Sequence, residues 1–236
     1  MSRRWVPFAI AAALFFLSLG TVTRSQDKSV KPGINDPFKN PDIEKFAKTF
    51  ETESREVYAL REKIVAACKL KPGMVVADVG AGTGLFTRLF APAVGPKGRV
   101  IAVDISEKFL DHINRSCKDA KITNVETVKC TDTSAELPEN SVDLVFVCDT
   151  YHHFEYPLRT MASIRKALKP DGRVVVIDFN RIPGKSSDWV LGHVRAGREA
   201  VVQEIEEAGF KKVWEEKDLL KENYLVVFEK AEAPKK

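Results

Sequence analysis

At 236 residues, 44% hydrophobic and 30% charged, the chain is long enough for one domain with appended ends and apolar enough for a packed core. Lys and Arg number 37 against 33 Asp and Glu, a net charge of +4 with the two signs interleaved. Nucleic-acid binders gather their basic residues on one face or in runs, whereas Lys211-Lys212 and Lys235-Lys236 are short and scattered, so no nucleic-acid partner is expected.

Residues 1–25 read as a targeting segment. Arg3 and Arg4 precede an almost wholly apolar run from Val6 to Gly20, and polar residues resume at Thr21. No A-x-A stands before the polar region, so both a removed signal peptide and an uncleaved membrane anchor fit. Either way the positive-inside bias leaves Arg3 and Arg4 in the cytoplasm, with the domain exported or membrane-anchored on the far side. Residues 26–41, rich in Pro, Gly and Asn, read as a linker of low order.

A domain over residues 42–230 follows, then a tail over 231–236. It opens with a short helix from Asp42 to Phe50 and a long one from Glu53 to Leu70, ended by Lys71-Pro72-Gly73. Val-rich strands then alternate with helices. Strands are expected at 74–79, 99–103, 124–129, 142–148, 172–179, 211–216 and 224–229, and helices at 84–93, 106–119, 157–168 and 195–208. This pattern predicts a doubly wound, seven-stranded, mostly parallel α/β sheet. The last two strands follow one another across a short polar stretch, which predicts an antiparallel C-terminal hairpin at the sheet edge.

The cysteines Cys68, Cys117, Cys130 and Cys148 form no C-x-x-C pair. No Cys/His cluster has zinc-ligand spacing, and no metal is expected. Cys68 and Cys148 fall in apolar patterns and read as buried free thiols.

The chemistry concentrates where the first strand turns into its helix, at Asp78-Val79-Gly80-Ala81-Gly82-Thr83-Gly84. Open α/β sheets bind ligands at this end, and glycines let backbone approach them closely. The dinucleotide pattern G-x-G-x-x-G would need glycine at 85, where Leu85 stands, which weakens a nicotinamide oxidoreductase reading. Asp78 would oppose a pyrophosphate but attract an ammonium group. Asp104, at the end of the second strand, is placed to accept hydrogen bonds from ribose hydroxyls.

Together these residues resemble motif I and the following acidic residue of class I S-adenosylmethionine-dependent methyltransferases. Leu137-Pro138 through Val145 resembles the family's approach to strand four, and Leu168-Lys169-Pro170-Asp171-Gly172 its turn into strand five. The set most resembles the small-molecule branch of ubiquinone/menaquinone-biosynthesis type. The resemblance implies a Rossmann-like methyltransferase fold with S-adenosylmethionine as cofactor. Asp78, Gly80, Ala81 and Gly82 would face its methionine part, with Asp149 near the amino end. Asp104 would hold the ribose, Ile105 would pack on the adenine, and Asp132 beside Thr133 would take the adenine amino group.

Tyr151-His152-His153-Phe154 matches a family segment bordering the acceptor pocket, so His152 and His153 are the candidate general bases. Tyr58, Tyr151 and Trp189 are candidate contacts to a small-molecule acceptor, with Arg61, His193 and Arg195 nearby in the pattern. The NPPY/DPPY signature of base or amide methylation is absent. A non-catalytic module holding a nucleoside-like ligand on the same fold is the alternative. Its motive is location, because S-adenosylmethionine is a cytoplasmic product. Oligomeric state is not legible in the pattern.

Overall fold

The computed structural model describes residues 26–232; the targeting segment at 1–25 lies outside them. Seven strands form one sheet in the order β3-β2-β1-β4-β5-β7-β6. They are β1 (Val75–Val79), β2 (Arg99–Asp104), β3 (Val125–Lys129), β4 (Val142–Cys148), β5 (Leu168–Phe179), β6 (Phe210–Glu216) and β7 (Asn223–Lys230). The first five are parallel, and β7 runs antiparallel to both of its neighbours.

Successive residues of a strand point to opposite faces, so the Val/Ile-rich strands feed two cores. On one face Ala77, Val103, Val145 and Val176 pack with Met161 and Ile164 of α7 (Pro157–Ala167) and with Val201 and Ile205 of α9 (Arg198–Glu207). On the other, Val76, Val100, Phe146 and Val175 pack with Val57 of α3 (Glu56–Ala59), Ile64 of α4 (Arg61–Ala67) and Phe86 and Phe90 of α5 (Leu85–Val94). Ala102 of β2 receives Ile113 and Cys117 of α6 (Glu107–Asp119).

Three expectations are corrected. The helix read over 53–70 breaks at Leu60 (φ −104°, ψ 13°) into α3 and α4. At the start of α3 the Glu56 carboxylate accepts the backbone N–H groups of Lys221, Glu222 and Asn223, a tertiary anchor invisible to periodicity. The terminal hairpin lies at the sheet edge as expected, antiparallel and outside β5, and its inner strand is β7. Its run Asn223–Phe228 is buried throughout, whereas β6 carries exposed Lys211, Lys212 and Val213 and serves as the charged edge. β5 begins at Leu168 instead of Gly172, because Leu168 pairs with Val142 across an irregularity before Arg173 pairs with Leu144. Residues 26–41, finally, are a docked strap. Ile34 is buried, Val30 N–H donates to the Glu155 carbonyl at 2.9 Å, and the strap holds a short helix α1 (Asp36–Lys39). Among the described residues no helix is long and apolar enough to cross a membrane.

Candidate active site

The chain leaves β1 for one side of the sheet and β4 for the other, and the crevice at this switch point opens into a cavity of about 580 Å³. A cavity of this size suits a nucleoside-containing cofactor with a small partner.

Its floor is the turn after β1. Gly80 N–H donates to the Val103 carbonyl at 2.8 Å, and Gly80 holds φ +76° where an added Cβ would lie 2.1 Å from Cγ2 of Thr150. Only glycine allows the loops after β1 and β4 to meet this closely. Gly82 N–H donates to Oδ2 of Asp104 at 2.9 Å, and Ser106 N–H to its Oδ1 at 2.8 Å. Each oxygen keeps a second lone-pair direction for a ligand. Asp78 accepts from Thr87 Oγ1 at 2.6 Å.

Three buried carboxylates therefore line one cavity. Burial pushes both Asp78 and Asp104 up to about 6, and for Asp78 the neighbouring Asp104 adds to the rise. Burial also raises Asp149, with the Arg55 guanidinium pulling the other way. Asp149 accepts from Arg55 Nη2 at 2.5 Å and from Asn223 Nδ2 at 2.6 Å. Desolvated carboxylates favour a cationic ligand, and S-adenosylmethionine carries an ammonium and a sulfonium. The residues present fit that group.

The remaining walls are apolar and aromatic. Phe38 of α1, Phe46 and Phe50 of α2 (Ile43–Phe50) and Phe109 of α6 form a chain of ring contacts with centroids 5.1 to 5.6 Å apart. The end of α2 is clamped over the glycine loop, since Glu51 pairs with Arg88 at 2.9 Å and accepts from Thr83 Oγ1 at 2.7 Å.

A 3-10 turn, Tyr151–His153, and the helix α8 (Asp188–His193) close the far end. Asp178, on β5, grips His152 twice: Oδ1 lies 2.7 Å from the ring Nδ1, and Oδ2 accepts the backbone N–H at 3.0 Å. His153 packs edge-on against Phe38, and its carbonyl accepts from Asn35 of the strap. Burial and the neighbouring imidazoles push His153 down to about 2 and lower His193 as well. Trp189 stacks on His193 at 4.7 Å and is 57% exposed, forming the rim.

Most of the residues singled out from sequence meet here. Asp78, Gly80, Ala81, Gly82, Asp104, Ile105, Asp132, Asp149, His152, His153, His193 and Trp189 all line the cavity. Thr133 does not, its neighbours Thr131 and Ser134 doing so instead. Tyr151 is turned away: it is fully buried, with its hydroxyl on Glu204 at 3.1 Å and Arg195 over its ring. Arg195 is spent on Glu204, and Tyr58 lies outside the wall under the Arg61 guanidinium. None of these four lines the cavity: the 3-10 turn carries Tyr151 inward, the broken helix leaves Tyr58 outside, and Thr133 and Arg195 lie in loops beside it. Sequence reasoning missed Arg55, Asp178 and the aromatic strap and α2. An acid at the end of β5 was the one available signal, matching those at the ends of β1 and β2. Cys130 and Cys148 are half-buried in the wall, Cys68 and Cys117 are buried, and all four are free thiols.

This sheet order, with a glycine loop after β1 and an acid closing β2, defines a class I S-adenosylmethionine-dependent methyltransferase domain. Residues 77–176 match the family model described as a methyltransferase domain. The chain is 33% identical over 118 residues to the ubiquinone/menaquinone biosynthesis C-methyltransferase UbiE of Burkholderia vietnamiensis, covering 50% of this chain and 48% of that protein. The chain thus spans about half the length of the curated relatives it matches. A methyltransferase from Aquifex aeolicus, described as dependent on S-adenosylmethionine, superposes with a TM-score of 0.71 at 26% identity, over 80% of this chain and 98% of that one. One from Mesorhizobium loti shares the fold at 18% identity, with a TM-score of 0.59 over 75% of this chain and 98% of that one. S-adenosylmethionine is the cofactor of such a domain.

Proposed function

We propose that the protein is an active methyltransferase moving the methyl group of S-adenosylmethionine to an oxygen, nitrogen or carbon of a small-molecule acceptor. The observation that carries this reading is Asp104: a buried carboxylate at the end of β2, held by two backbone N–H groups and open to the cavity. Bound S-adenosylmethionine supplies a methyl carbon on a positively charged sulfur. Asp104 accepts from the ribose hydroxyls, Ile105 packs on the adenine, and Asp132 takes its amino group. Asp78 and Asp149 favour the ammonium end, where the glycine loop lets backbone lie close.

The acceptor belongs between the aromatic wall and the histidines. Methyl transfer needs alignment and exclusion of water more than acid–base help. Where the acceptor must lose a proton, His152 suits the task better than His153. Asp178 holds its Nδ1 and leaves Nε2 to accept, whereas the depressed His153 is a weak base. UbiE is named a C-methyltransferase of quinone biosynthesis, which supports a small organic acceptor here. Calorimetry with S-adenosylmethionine and S-adenosylhomocysteine tests the reading. One site binding both is expected, and a folded protein binding neither would refute it.

For location we propose export or membrane anchoring, supported by Arg3-Arg4 and the apolar run Val6–Gly20. Residues 1–25 fused to a phosphatase that is active only outside the cytoplasm should yield active reporter. Phosphatase that stays inactive in the cytosol would count against it.

A further inference from the structure

Three of the chain's four histidines meet at the acceptor end of the cavity. His152 and His153 come from the turn after β4, His193 from the last position of α8. One ring nitrogen of each lies within 4.8 Å of the others. Nε2 of His153 and Nε2 of His193 stand 3.3 Å apart. Two nitrogens bound at about 2.0–2.1 Å to a tetrahedral ion stand about 3.3 Å apart, so this spacing already matches a shared ion.

The surroundings agree. His152 presents Nδ1 to a carboxylate, the arrangement that orients a metal-binding imidazole and leaves Nε2 as ligand. The buried Nδ1 of His153 has no hydrogen-bond partner, so the protein does not use that ring fully. Imidazoles packed this closely repel one another when charged, and a cluster of neutral rings offers lone pairs. Lys31, the cation beside them, is engaged by the Gly192 and His193 carbonyls. An all-nitrogen set selects zinc, cobalt, nickel or copper over magnesium or calcium.

We propose that His152, His153 and His193 bind one divalent transition-metal ion of zinc type, with Asp178 positioning His152. Three ligands leave a coordination position toward the cavity, which suits an acceptor carrying an ionisable hydroxyl. This choice of acceptor rests on the reading that this end of the cavity is the acceptor site; metal binding does not. His152 is then a ligand, and lowering of the hydroxyl pKa by the ion replaces a protein base, the proton passing to water.

The test uses the untagged full-length protein, stripped with chelator and free of cofactor and acceptor. Cobalt(II) is titrated and followed by visible absorption, and zinc by calorimetry. One ion per chain with tetrahedral cobalt bands is expected. His193→Ala, on a half-buried surface helix, should weaken binding at least tenfold while S-adenosylhomocysteine affinity stays within twofold. Asp178→Asn should weaken it about 10- to 100-fold. Wild-type protein that takes up no ion, or His193→Ala with unchanged zinc affinity, would overturn the site. Neither result would bear on cofactor binding, which is measured separately.

Discussion

Arg55 and Asp149 form a 2.5 Å ion pair in the wall of the cavity, joining the start of α3 to the residue after β4. The Asp149 side chain is 3% exposed and that of Arg55 24%, and Asp149 sits at φ +48°. The pair ties the N-terminal helices to the sheet at the cavity wall.

Removing one partner leaves an uncompensated buried charge, the costly case for an ion pair. Arg55→Ala should destabilise the protein by roughly 3 kcal/mol. Asp149→Asn, which keeps a polar group beside Asn223 and leaves unpaired only the more exposed Arg55 guanidinium, should cost less. Urea unfolding of both variants measures the difference, and equal losses would mean the pair is not what holds this corner.

Asp104→Ala deletes the acceptors for the ribose and for Gly82 and Ser106 N–H. Cofactor affinity should fall by about 1–3 kcal/mol, roughly 5- to 150-fold, by calorimetry with S-adenosylhomocysteine. Unchanged affinity would place the ribose elsewhere.

The raised carboxyls make both stability and binding depend on pH. Asp78 and Asp104 titrate near 6 when folded and near 3.8 when exposed, so between those values the folded state holds more protons than the unfolded. Stability of the ligand-free protein should therefore rise as pH falls from 7 to about 4, as far as these two groups decide it. A cationic cofactor favours the ionised carboxylates. Binding at pH 6 should release protons, and affinity should increase from pH 5 to 7. Calorimetry in two buffers of different ionisation enthalpy counts the protons, and uptake would contradict the electrostatic fit.

Gly80→Ala combines a clash with Thr150 and a positive φ. It should destabilise the fold and abolish cofactor binding. Adding Thr150→Gly relieves the clash but not the backbone, so about 1–2 kcal/mol of the loss should persist in the double variant. A double variant no better than the single would show that Thr150 can already move aside.

Much of the framework was legible in the residues themselves. Val-rich strands alternating with amphipathic helices dictate a doubly wound sheet, since apolar strands need helices on both faces. Residue types at strand ends then name a site: Asp78, the glycines and Asp104 stand at successive carboxyl ends of the sheet, where the topology must open. Local pattern also located His152, His153 and His193. Periodicity was blind to relations between distant segments. Nothing near Glu56 predicts that it caps the loop before β7, and nothing near Leu60 that the helix breaks there. Nothing near Tyr151 says that a 3-10 turn sends it inward to Glu204 while its neighbours face the cavity. That Arg55 closes on Asp149, that Asp178 orients His152, and that three imidazoles share one corner were decided by tertiary structure alone. Each depends on side chains brought within hydrogen-bond reach by packing, a distance that no sequence spacing encodes.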